Sequence, residues 1–93
     1  MEELKANIRN KLEELLQLPS FSFEVPLIEY EKDSLVEIAF LARSEHYKDN
    51  EADKKIDSAF CRNLRNSDDQ RSKLMYKLLS RLLSEVGTRA QLL

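Results

Sequence analysis

The sequence predicts an all-α fold, a small bundle of about four helices with an extended aromatic segment between the first and second. Three observations carry that prediction. Glycine occurs once and proline twice in 93 residues, which favours long helices with short connections. Apolar residues recur at spacings of three and four along most of the chain. Cap-forming residues stand where those periodic stretches begin.

The first helix is expected over residues 2–17. Leu4, Ile8, Leu12, Leu15 and Leu16 fall on one stripe, and Glu2 and Glu3 sit in the first turn, where the helix dipole favours carboxylates. Leu18 and Pro19 end it, because the residue before a proline is pushed out of the helical region.

Residues 20–30 change period. Phe21, Phe23, Val25 and Leu27 alternate with Ser22, Glu24 and Pro26, as in an extended chain. Pro26 cannot donate to a ladder, so a segment laid across helices or a short edge strand is expected. Phe21, Phe23 and Tyr30 either plug the open end of a small core or anchor an interface.

A second helix is expected over 34–47, opened by a capping box of Ser34 and Glu37. Its middle, Leu35, Val36 and Ile38 to Ala42, is apolar nearly all round, which places it and Phe40 at the centre of the domain. Tyr47 to Asn50 form a polar break. A third helix over 51–65 follows, with Asn50 as N-cap and Ala52, Ile56, Ala59, Phe60 and Leu64 on its apolar face. Asn66 is expected to close it in the left-handed conformation. Ser67, with Gln70 three residues on, then caps a fourth helix that runs to Val86 and ends at Gly87. Residues 88–93 start a further turn or fray.

Ninety-three residues are read as one domain, 1–93. A chain this short buries roughly 60–65% of its unfolded surface, so its core is thin and a partner is a natural supplement. The apolar fraction of 42% sets it apart from disordered chains despite 34% charged residues. The longest apolar run, Ile38 to Ala42, is far short of the ~20 residues that cross a bilayer. The opening Met1-Glu2-Glu3 has no basic and apolar leader, and the single cysteine forms no internal disulfide. An intracellular setting, cytoplasmic or nuclear, is the expectation.

The net charge of −2 hides a polarity. Residues 1–53 hold 6 Lys/Arg and 13 Asp/Glu, whereas residues 54–93 hold 9 Lys/Arg and 4 Asp/Glu. Lys73, Lys77 and Arg81 line one helix face, with Arg71 beside them and Arg62 and Arg65 at the end of the preceding helix. Such a row is a solvated face, a contact for an acidic protein, or a phosphate-binding stripe. The overall acidity counts against nucleic acid. The helical hairpin at Asn66 and Ser67 has the outline of a helix-turn-helix, a form that many hairpins share. Leu78, Leu79, Leu82, Leu83 and Val86 form a wide stripe that serves either the core or a helix–helix seam between chains.

Catalysis is not expected. Cys61, His46 and Asp57 are the residue types of a thiol site, but Cys61 beside Phe60 reads as a small buried apolar residue, and His46 as a partner of the helix dipole. One cysteine and one histidine do not complete a zinc site, and one glycine does not make a phosphate loop. No cofactor and no small-molecule substrate are expected. The reading is a non-catalytic protein-interaction module, a small subunit, adaptor or regulator, oligomeric or part of a complex. The alternative is a nucleic-acid-binding domain that uses the basic row.

Overall fold

A computed structural model describes residues 2–43, 54–56, 58–87 and 90–92. Four α-helices occur among them, α1 (Glu2–Leu15), α2 (Glu29–Arg43), α3 (Ala59–Asn66) and α4 (Gln70–Glu85), together with strands β1 (Lys54–Ile56) and β2 (Ala90–Leu92). The fold is a small helical bundle, and no helix among the described residues is long and apolar enough to cross a membrane.

α1 carries its stripe as the periodicity requires. Ile8, Leu12 and Leu15 are buried, and Leu4 and Leu16 pack against the same cluster. The chain then tightens, with Gln17 N–H donating to Glu14 O and Leu18 N–H to Leu15 O. Pro19 opens a single 3₁₀ turn, Pro19–Phe21, which swings Phe21 into the core. Residues 22–28 contain no strand. Leu27 turns inward, Phe23 is half-buried and Val25 points to solvent, so the alternation fails at Val25.

α2 begins five residues earlier than the expected start at residue 34. Lys32 N–H donates to Ile28 O, which makes Ile28 the N-cap, and Glu31 Oε1 accepts the Ile28 N–H at 2.9 Å. The reciprocal half of a capping box is thus supplied by Glu31, three residues after the cap. Ser34 lies inside the helix, where its hydroxyl donates to Tyr30 O at 2.9 Å. Leu35, Val36, Ile38, Ala39 and Ala42 are buried. Phe40 is not at the centre. It is half-buried, with Lys5 Nζ 4.8 Å from the ring centroid. Phe40→Ala is therefore expected to cost about 1–3 kcal/mol, below the ~3–5 kcal/mol of a fully buried ring. Urea unfolding followed by circular dichroism measures it, and a loss of about 4 kcal/mol would return Phe40 to the core.

The antiparallel α1–α2 pair is laced by charges. Lys5 meets Glu37 at 2.8 Å, Arg9 meets Glu29 at 2.5 Å and Asp33 at 2.7 Å, and Lys32 meets Glu13 at 3.4 Å. The Glu29 hydrogen bond, above all, raises the Arg9 pKa. Four carboxylates of the first half, Glu13, Glu29, Asp33 and Glu37, are thus paired within that half, and its net negative charge is unchanged. These pairs are partly solvated, so each contributes at most about 1 kcal/mol.

Residues 44–53 and 57 lie outside the described residues, and with them the expected end of the second helix, the break at 47–50 and the caps at Asn50. The third helix is shorter than expected. Residues 54–56 form β1, and α3 starts after Ser58, whose Oγ accepts the Cys61 N–H at 3.1 Å. Ile56 is buried from a strand rather than from a helix face. Asn66 does not adopt a positive φ. Ser67 closes α3, its N–H donating to Leu64 O, and Asp69 rather than Ser67 is the N-cap of α4. Gly87 has φ +77°, the left-handed closure expected of it, and its N–H donates to Ser84 O. β2 follows and pairs in parallel with β1, Ile56 opposite Leu92. Parallel pairing needs a long return path, which α3 and α4 supply.

Candidate interaction surfaces

The leucine stripe of α4 belongs to the chain's own core. Leu78, Leu79 and Leu82 are 0% exposed and Leu83 3%, packed in one cluster with Ile8, Leu12, Leu35 and Leu64. Val86 is half-buried at its edge. A seam between chains needs these side chains at the surface, and α1, α2 and α3 already cover them.

The basic row is divided by the structure. Arg71 is only partly exposed and is held on several sides. Its guanidinium makes a two-pronged pair with Glu31, Nη1 to Oε2 and Nη2 to Oε1, the latter at 2.9 Å. Nη2 also donates to the carbonyls of Val25 and Pro26, both at 3.1 Å, and Nη1 reaches Met75 Sδ at 3.5 Å. Phe23 lies 5.7 Å from the guanidinium carbon. Arg71 thus ties the first turn of α4 to the 22–28 segment and to the start of α2. A planar fork with several fixed donors suits this task, and a lysine could not replace it. The Arg71 hydrogen bond is the main reason that the Glu31 carboxyl titrates below its ordinary range, and Glu31 in turn raises Arg71.

Arg81 pairs with Glu85 at 3.0 Å across one helical turn. Arg62, Arg65, Lys73 and Lys77 are exposed. Arg65, Lys73 and Lys77 have no ion-pair partner among the described residues. Arg71 and Arg81, both expected to belong to one stripe, are therefore held by carboxylates of the chain itself.

Periodicity did not point to the surface on the other side of Arg71. The exposed large hydrophobic side chains among the described residues are Leu18, Val25, Ile28 and Tyr30, all within thirteen positions, and the last three are 64%, 60% and 70% exposed. Scattered single apolar residues are ordinary on a protein surface, whereas their confinement to one segment is not. Two cavities flank Phe23. One, of about 430 Å³, lies between Glu24, Val25, Asp69 and Leu74; the other, of about 300 Å³, lies between Leu16, Phe21, Leu27 and Lys32. The available signal was Pro26 in a segment of alternating apolar residues. It implied a chain held by something other than a ladder, but not that Arg71 would hold it.

Cys61 is buried, and its amide is spent on the Ser58 cap. His46 and Asp57 lie outside the described residues. No known family model, curated protein or solved structure matches this chain.

Proposed function

We propose that this protein is a non-catalytic interaction module, a small subunit, adaptor or regulator, that presents the 22–30 surface to another protein chain. The observation that carries the reading is that, among the described residues, three of the four exposed large apolar side chains, Val25, Ile28 and Tyr30, fall in that one segment. Arg71 fixes the segment's backbone through two carbonyls, so little ordering entropy is lost when a partner binds. An intracellular setting fits a free cysteine. The test is site-specific photo-crosslinking in the native cell. A crosslinker at Ile28 is expected to give a discrete protein adduct, lost on Val25→Ser, while one at exposed Ser80 gives none. Equal adducts at both positions, or none at Ile28, would remove the basis of the reading.

Exposed Arg62, Arg65, Lys73 and Lys77 favour a second reading, nucleic-acid binding by α3 and α4. Four phosphate contacts give log K a slope of about −3.6 against log salt on duplex DNA. Under the first reading, mixed-sequence DNA titrated at two salt concentrations is expected to bind weakly or not at all. Submicromolar binding at that slope, lost in Lys73→Glu/Lys77→Glu, would reverse the order of the two readings.

A further inference from the structure

We infer that the partner surface recognised here is a peptide segment that joins a basic side chain to apolar ones, the basic group entering the cavity between residues 22–25 and the start of α4. This rests on the protein-interaction reading and gives that partner a chemistry. The walls of the cavity are apolar at Phe23 and Leu74 and acidic at Glu24 and Asp69. Its one cation, Arg71, is neutralised by Glu31, and its donors are also shared among two carbonyls and a sulfur. Among the described residues the Glu24 carboxylate has no hydrogen-bond or ion-pair partner, and the Asp69 carboxylate accepts only the Ser72 hydroxyl, at 3.3 Å.

The N-terminus of α4 adds about +0.5 of a charge at Asp69. The excess is still negative by about 1.5 charges. A lysine or arginine suits this shape, with its stem along Phe23 and Leu74 and its head between the carboxylates. Val25 borders the cavity and Ile28 and Tyr30 follow it in the chain, so an adjoining apolar side chain of the same segment would find exposed apolar surface there.

A second copy of the chain fits less well. A two-fold contact through this patch sets Glu24 and Asp69 against their own images. Among the described residues the basic face at Arg65, Lys73 and Lys77 carries no exposed large hydrophobic side chain to accompany its charge.

The probes are two fluorescent hexapeptides, one alternating leucine and lysine, the other leucine and glutamate, followed by anisotropy. The leucine–lysine peptide is expected to bind the whole chain, and the leucine–glutamate peptide at least about tenfold more weakly. Glu24→Lys and Val25→Ser should each weaken the first peptide by about tenfold. Glu3→Lys, the same charge change at the far end of α1, should weaken it by less than about twofold, because a salt-screened surface charge acts over ~10 Å. Unchanged circular dichroism checks the fold of each variant. Equal binding of the two peptides, equal weakening by Glu24→Lys and Glu3→Lys, or no binding of either peptide would each overturn the inference. A crosslink at Ile28 alongside any of those results would leave the interaction reading standing and remove only the partner's chemistry.

Discussion

Leu79→Ala is expected to lower the free energy of unfolding by about 3–5 kcal/mol. Leu79 is 0% exposed, and its neighbours Leu78, Leu82 and Leu35 are too, so the walls of the resulting cavity have little freedom to collapse. For a domain whose whole stability is of the order of 5–15 kcal/mol, that is a large share. Leu79→Glu should go further and abolish cooperative folding, because an unpaired carboxylate would replace a methyl pair inside the cluster. Urea unfolding and light scattering test both variants. If the wild type is a dimer and Leu79→Glu yields a well-folded monomer with unchanged helical circular dichroism, the leucines line a seam between chains and the packing described above is wrong.

The second large effect belongs to Arg71. Arg71→Gln removes the charge and most of the donors from Glu31 and from the carbonyls of Val25 and Pro26. Glu31 retains some access to water, so the cost is set near 1–3 kcal/mol, below that of breaking a fully buried pair. Its signature is the pH dependence. Glu31 titrates lower in the folded chain than its ordinary value of 4.5, so folding favours the ionised form. That stability is complete above pH 4.5 and is lost as pH falls through the folded value. Other carboxylates also titrate in this range, but they do so in both proteins. The stability difference between wild type and Arg71→Gln should therefore be largest near neutral pH and shrink as the solution becomes strongly acidic. A difference that stays constant with pH would mean that Arg71 acts through packing on Phe23 and Met75 rather than through Glu31.

The two predictions concern residues of unequal legibility. Leu78, Leu79, Leu82 and Leu83 announce a buried helix face by spacing alone, and the stripes of α1 and α2 do the same. Arg71 reads as one more member of a basic row, and its partner stands 40 residues away, so no local spacing reveals it.

What the amino-acid sequence by itself determined is the helical class, the apolar stripes of α1, α2 and α4, and the left-handed closure at Gly87. Those features depend on the 3.6-residue period and on backbone sterics, which act between neighbours in the chain. Tertiary structure decided the rest. It moved the start of α2 back to Glu29, because Glu31 is held where it can both cap Ile28 and pair with Arg71. It turned residues 54–56 into a strand, because a parallel partner arrives from Ala90–Leu92, beyond α4. It also divided the basic row, withdrawing Arg71 into a clamp and leaving Val25, Ile28 and Tyr30 at the surface. Each of these outcomes rests on contacts between distant parts of the chain, and local propensity is too weak to override them.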